Sequence, residues 1–530
     1  VTGGVEMRPR PAEFDIDYPN VEEGTDVGPH SVVRRYEADV VVVGSGAGGA
    51  TAAARLREAG LDVLILEEGA LHRTQSFTTD PIGSAQRLYR DAGTSPIAGN
   101  PQILFAEGRC VGGSTVLNGG MCWRTPEHVI DHWSRVLGIE AAGPQELEAY
   151  FDEAEKILNV EFQNEDTLGR NDRLFVEGAA RLGWEIRDNP RNMDRCVGLN
   201  NCAYGCPTGA KQSMLVTEIP RALAMGARMV THARVWRVES RRQDVVGVRG
   251  RFVDEVGRRY GRFEVFAKLV VLAAGARHTP AILKRSGFGD PNIGRGLHTH
   301  PNAKVVGVFD ERIDPWIGTH QAHQIHQFAE EGIVMGYAAV PPGLLATGIP
   351  GLGDAHGERM LNYNRMLTAA CLVEDAGEGR VRMGLDGEPW MQFKISDADL
   401  DKIHRGVGLL ARLMFSAGAK RVLLPFGDLP ELSAPDELGM IEQHSRAVRD
   451  IELMTVHIMS SCRMSSSPDR GATDCFARVR GVRGLVVADA SCIPSSIGVN
   501  PMETIVALAL RNADRWAEDL RREASRRASG

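Results

Sequence analysis

Apolar residues in this chain fall into short, dense runs separated by glycine. Residues 38–43 (Ala-Asp-Val-Val-Val-Val) are apolar at nearly every position, where a strand with one wet face would alternate. That pattern predicts a strand covered on both sides, as in a parallel sheet. The same signature returns at 61–66, 268–274 and 484–488. Between the first two runs, residues 47–59 are rich in alanine and stop at Gly60, which predicts a helix joining two parallel strands.

Other periods appear elsewhere. Leu147, Tyr150, Phe151, Ala154 and Leu158 mark a helix over 144–160, and Leu174, Val176, Ala180 and Leu182 one over 171–183. Segments 227–240, 245–254 and 259–267 alternate apolar and charged residues, as an antiparallel meander would. Pro501 is placed to start a helix that runs to about residue 521. Residues 1–36 lack periodicity and read as an N-terminal arm. From 297 to 450 the pattern turns to mixed strands and loops. The organisation expected is therefore an arm (1–36), a Rossmann-like domain in two parts (37–296 and 451–530) with a helical, cysteine-containing segment at about 144–212, and a substrate domain (297–450). The fold class is α/β: a parallel sheet plus an antiparallel meander, beside an α+β unit built on an antiparallel sheet.

Composition narrows the function. The chain has 530 residues, 25% charged and 43% hydrophobic, which excludes wholesale disorder and coiled coil. A net charge of −8 has the wrong sign for holding phosphate backbones, so no nucleic-acid partner is expected. Residues 297–450 hold 21 Asp and Glu against 14 Lys and Arg, which places most of that charge in the substrate domain. Nine cysteines, an odd and sparse number, do not form a disulfide scaffold, and residues 1–20 show neither the basic start nor the apolar stretch of a secretory leader. A cytoplasmic location is expected. No run approaches the ~20 apolar residues of a membrane span, although peripheral membrane contact stays open. Fifty-nine glycines are an excess, and they ask where the backbone must approach something closely.

The first answer is Gly44-Ser-Gly46-Ala-Gly48-Gly49, placed at the end of one strand and the start of a helix, with Glu67 ending the next strand. This is a dinucleotide-binding arrangement. Gly44 makes the turn, Gly46 lets the backbone reach a pyrophosphate, and Gly49 allows close packing of helix on strand. The helix N-terminus suits phosphate, and Glu67 the ribose hydroxyls. The second answer is the loop 108–126, with five glycines among polar residues.

Taken in order, these segments and three others resemble the glucose-methanol-choline (GMC) oxidoreductases, FAD-dependent enzymes acting on alcohols. The resemblance spans about 37–520. It implies that Gly44, Gly46, Gly48, Gly49 and Glu67 hold the ADP half of FAD. It further implies that Gly112, Gly113, Ser114, Asn118 and Gly119 contact the flavin, and that the backbone of Val235 meets the adenine. Residues 274–287, beginning at Ala274, resemble the family's second signature. Asp489 is expected on the ribityl chain, and Pro501-Met502 to open a helix aimed at the flavin. Asn-Gly-Gly-Met at 118–121 and Ile-Gly-Val-Asn-Pro at 497–501 look most like the cholesterol-oxidase and long-chain-alcohol-oxidase branch, which carries a His and an Asn in its catalytic pair. His457 and Asn500 match those positions.

Alcohol oxidation removes a proton from oxygen and a hydride from carbon, and flavin N5 accepts the hydride. His457 is read as the base, or as the donor that positions and polarises the hydroxyl, and Asn500 as a second donor to the same oxygen. The expected partners are a small, bulky or lipophilic alcohol and oxygen or another electron acceptor. A sugar or amino-sugar dehydrogenase using a non-oxygen acceptor, a hydroxynitrile-lyase-type use of the scaffold and an NAD-dependent dehydrogenase are alternatives. No metal site is expected: Cys196, Cys202 and Cys206 read foremost as structural thiols, with a disulfide or an iron–sulfur cluster as lesser options, and His320, His323 and His326 as structural or pocket-lining. His298 and His300 read as packing.

Overall fold

The computed structural model describes residues 16–27, 33–446 and 450–529. Among the described residues its first sheet has eight strands. Val33–Val43 lies at its middle, with Val63–Leu66 and then Arg228–Thr231 on one side and Arg259–Leu272 on the other, all parallel. Val40, Val41, Val42, Val63 and Val270 are wholly buried, as the unbroken apolar runs require. Val43 is in register with both Leu66 and Leu272, and Leu272 with Val487 of the strand Leu485–Val487. Four carboxyl ends therefore lie level, and such an edge is where open parallel sheets bind ligands.

The strand Arg259–Leu272 differs from the expectation of two separate strands at 259–267 and 268–274. Its first half pairs antiparallel with Asp244–Val253, and its last three residues pair parallel with Leu485–Val487 on the same edge. The alternating pattern and the solid one are two environments along one strand. The segment 227–240 differs in the opposite sense. It breaks at His232, whose φ of 55° ends the parallel strand Arg228–Thr231 and starts the antiparallel strand Ala233–Arg241. The N-terminal reading is also revised where residues are described: Val21–Glu23 pairs with Arg228–Thr231 at the sheet edge, and the central strand begins at Val33. The remainder of that segment, 1–15 and 28–32, lies outside the described residues.

Among the described residues the second sheet has thirteen strands, mostly antiparallel, around Asn302–Val308 and Met366–Val373. It also takes in Ser95–Ala98, Ile103–Phe105, Ile186–Asp188 and Leu453–Thr455 from outside 297–450. The helix Asp397–Ala417 packs on it. Ser396 and Asp399 form a capping box at its start, and the Asp399 carboxylate also accepts from Ala376 N (2.8 Å) and Gly377 N (3.0 Å), which anchors the loop that carries Asp375. Among the described residues no helix is long and apolar enough to cross a membrane.

Candidate active site

At the level edge of the first sheet, glycine is demanded for reasons that differ from residue to residue. Gly44 has φ +101°, and a Cβ there would lie 2.3 Å from the Ala273 carbonyl oxygen. A Cβ on Gly48 would lie 1.7 Å from the oxygen of Ala488, and one on Gly49 2.1 Å from that of Gly44, so these two set helix-to-sheet packing. Gly46 is different: a Cβ there would meet nothing within 4 Å. The helix Ala47–Glu58 that starts at this open point has no side-chain cap and no acidic residue in its first turn. Its free N–H groups fit an anionic diphosphate.

Glu67 turns inward. Its carboxylate accepts from Ser45 N (3.0 Å), Ser45 Oγ (2.7 Å) and Gly69 N (2.8 Å), while burial raises its pKa above the ordinary carboxylate range. Ser45 Oγ in turn accepts from Gly112 N at 3.0 Å, joining the nucleotide turn to the second glycine loop. That loop bends through Gly112 (φ 90°) and Gly113 (φ 55°), and a Cβ on Gly113 would come within 3.0 Å of Gly46 Cα. Ser114 Oγ accepts from Gly108 N at 3.0 Å. Asn118 places Nδ2 2.9 Å from Met502 Sδ, at the start of the helix Met502–Ser529. At Gly119 a Cβ would meet Gln321 Oε1 at 2.0 Å, the movable end of that side chain. Val235 is buried opposite Gly250 in its antiparallel strand.

Ala274 lies two residues beyond the strand Arg259–Leu272 and is the N-cap of the helix Gly275–Arg285. Its N–H donates to Thr279 Oγ1 at 3.1 Å, and the Thr279 hydroxyl donates to Asp489. Asp489 also accepts from Gly275 N (2.9 Å) and Ser491 N (2.8 Å), and burial raises its pKa. This carboxylate therefore ties together the ends of two neighbouring strands. Gly44, Gly46, Gly48, Gly49, Gly112, Gly113, Ala274 and Asp489 thus gather along one edge, around the uncapped helix end and the open space at Gly46, and that arrangement fits FAD.

His457 follows the strand Leu453–Thr455, and its N–H donates to Thr455 Oγ1 at 3.0 Å. Asn500 stands immediately before Pro501 and the helix Met502–Ser529. His457 Nε2 and Asn500 Nδ2 are 3.3 Å apart, so the structure brings together two side chains 43 residues distant. Burial, assisted by His300, pushes the pKa of His457 down to about 3. Val456, beside it, is half exposed.

His298 and His300, read as packing residues, are buried, and they also take part in a hydrogen-bond network. His300 Nδ1 is 3.4 Å from His457 Nδ1, with the rings edge-to-face at 86°. Asp375 accepts from His300 N (3.2 Å), Thr299 N (3.1 Å) and Ser496 Oγ (2.9 Å), and lies 3.1 Å from His298 Nδ1. Thr455 donates its hydroxyl to the Thr299 carbonyl, which fastens the two histidine segments side by side. The only sequence signal for this network was a pair of histidines before a proline. Lys211 was also missed: its buried Nζ donates to the carbonyls of Val116 (2.7 Å), Asn118 (2.9 Å) and Cys202 (2.7 Å).

Cys196, Cys202 and Cys206 are free. Cys202 Sγ accepts from Arg191 at 3.5 Å, and Cys206 Sγ lies 3.3 Å from the Thr208 hydroxyl. His320 is 3.0 Å from Asn200 Oδ1, and His326 packs on Trp123 with ring centroids 4.4 Å apart. His323 sits between Asp172 and Asp188 at 2.9 Å each, carboxylate partners that its own segment did not reveal.

Comparison with known proteins gives matches to the family described as GMC oxidoreductase over residues 85–302 and 377–509, and to an FAD binding domain over 39–80. An uncharacterized GMC-type oxidoreductase of Mycobacterium tuberculosis is 36% identical over 96% of this chain and 80% of its own length. A long-chain-alcohol oxidase of Arabidopsis thaliana is 31% identical over 90% of this chain and 67% of its own. Among solved structures, pyridoxine 4-oxidase from Mesorbium loti superposes with a TM-score of 0.68 at 20% identity, covering 91% of this chain and 99% of that one.

Proposed function

Since this chain belongs to the GMC oxidoreductases and is an FAD-dependent enzyme acting on alcohols, we propose that it oxidises a bulky, lipophilic alcohol whose oxygen is gripped between His457 and Asn500. The approach of His457 Nε2 to the Asn500 amide carries this reading. Two polar groups converging at a partly buried spot fix an oxygen in a near-attack position.

Bound FAD supplies the hydride acceptor at N5. The protein's part is to hold the oxygen and to manage charge as the hydroxyl proton and the carbon-bound hydride leave. His457 is suited to this because burial keeps its imidazole neutral across the working range. The uncapped end of Ala47–Glu58 and the open space at Gly46 would receive the diphosphate. The loop at Gly112, Gly113, Ser114, Asn118 and Gly119 would lie along the flavin. Glu67 and Asp489, whose oxygens already accept protein donors, would shape the ribose and ribityl ends more by holding the loops than by direct contact. The N-terminus of Met502–Ser529 would favour negative charge on the reduced ring.

Similarity to a long-chain-alcohol oxidase supports a lipophilic substrate and oxygen as acceptor. Anaerobic mixing of the yellow enzyme with fatty, sterol, aromatic and sugar alcohols, followed by air, tests this. Bleaching by the lipophilic members and fast recovery in air are expected. Bleaching by sugars alone would overturn the substrate class.

A further inference from the structure

The wiring behind His457 assigns that residue a definite proton. Resting on the reading of His457 as the residue that meets the alcohol oxygen, we propose that His300 is a positioning residue that holds His457 in the tautomer with hydrogen on Nε2, so that His457 meets that oxygen as a hydrogen-bond donor.

Gly498 N donates to His300 Nε2 at 3.1 Å, and Ile497 N points to the same nitrogen at 3.4 Å. A peptide N–H can only donate, so this nitrogen presents a lone pair. Burial pushes the pKa of His300 down to about 4, and the ring is neutral. Its one hydrogen is therefore on Nδ1, which faces His457 Nδ1 at 3.4 Å. His300 donates there and His457 accepts. A neutral His457 that accepts at Nδ1 carries its own hydrogen at Nε2.

The opposite wiring would put hydrogen on His300 Nε2 and direct it to Ser496 Oγ, 3.0 Å away, with Ser496 donating to Asp375 Oδ1 at 2.9 Å. That hydrogen would then point at the Gly498 N–H as well. In the first wiring the Ser496 hydroxyl turns from Asp375 to His300 Nε2, and Asp375 keeps the Thr299 and His300 amides as donors, whereas the Gly498 amide is fixed in the loop and cannot turn. The asymmetry selects the first wiring.

One consequence concerns the site itself. With hydrogen on His457 Nε2 and an amide Nδ2 on Asn500, two donors face each other 3.3 Å apart. Such a pair is complete only when an oxygen accepts from both, and a substrate oxygen gaining negative charge does so better than a neutral one. While Nε2 keeps its hydrogen it cannot take up the alcohol's, so His457 acts by stabilising that oxygen, and the hydroxyl proton passes to solvent water as the hydride leaves for the flavin.

Nitrogen-15 spectra of the FAD-loaded enzyme labelled at histidine test the assignment. The signals lost in His457→Asn identify the ring, and couplings to its carbon-bound hydrogens distinguish the two nitrogens. A pyrrole-type Nε2 and a pyridine-type Nδ1 are expected. His300→Leu should release the tautomer and slow flavin reduction by ~10-fold or more with FAD still bound, since a wrong tautomer disables an imidazole of correct position. His300→Asn, which places an amide donor near the original Nδ1, should recover much of that rate. A pyridine-type Nε2 in the unaltered enzyme, or a tautomer unchanged in His300→Leu, would overturn the proposal. Failure of the underlying functional reading shows separately, as flavin reduction at the full rate in His457→Ala.

Discussion

Lys211 Nζ donates to the backbone carbonyl of Asn118 at 2.9 Å while also donating to Val116 and Cys202. One buried ammonium thus pins the glycine loop at its apolar end to the cysteine-containing segment. Lys211→Met keeps the length of the side chain and removes the donors. Charged donors contribute about 1.5–3 kcal/mol per hydrogen bond, so FAD affinity is expected to fall by ~10-fold or more. Titration of the apoprotein with FAD measures it.

The same lysine has a pH signature. Burial lowers its pKa to about 8 from an ordinary 10.5. Between those values the unfolded chain binds more protons than the folded one, so the lysine's contribution to stability rises with pH across that window. The stability of the unaltered protein relative to Lys211→Met should increase by about 3 kcal/mol from pH 8 to 10.5. Denaturant unfolding at several pH values reads the difference, in which groups common to both proteins cancel.

Glu503, in the first turn of Met502–Ser529, has the opposite sign. Neither carboxylate oxygen has a hydrogen-bond partner among the described residues, and Arg124 Nε lies 3.9 Å from Oε1. Burial, with Glu155 nearby, raises the pKa to about 8. The folded state therefore keeps a proton that the unfolded state loses, and stability at this site is present below pH 4.5 and declines as pH rises to 8. Glu503→Gln should gain about 4 kcal/mol over the unaltered protein across that range. Equal pH dependence of the two would contradict the assignment.

Gly46 and Gly48 separate ligand space from packing. Gly46→Ala meets no protein atom within 4 Å, so the apoprotein should keep its melting temperature and lose FAD affinity. Gly48→Ala would press on the Ala488 carbonyl, which stands 1.7 Å from the added carbon, and should destabilise the apoprotein by about 3 kcal/mol. Wild-type FAD affinity in Gly46→Ala would remove that residue from the diphosphate site. Thermal melts of the two apoproteins, each with an FAD titration, carry the comparison.

The parts of this site that were legible in the sequence are those that local geometry dictates. A glycine after a buried strand and an acid after the next are set within about two dozen residues, and Gly44, Gly46, Gly49 and Glu67 could be placed from them. The fork in Arg259–Leu272 could not, because pairing partners on one edge change midway while the chain simply continues. The place of His300 beside His457 could not be read for a related reason. Its role depends on a nitrogen-to-nitrogen approach across 157 residues and on two loop amides at 497 and 498, neither of which leaves a trace in spacing. Lys211 and Asp375 act on backbone groups far along the chain, and their residue types alone resemble ordinary surface charges.

Anaerobic stopped-flow reduction of His457→Ala by a lipophilic alcohol tests whether His457 handles the alcohol oxygen. The variant is expected to stay yellow and loaded with FAD, with flavin bleaching slowed by ~10² or more. Bleaching at the rate of the unaltered enzyme would contradict the account.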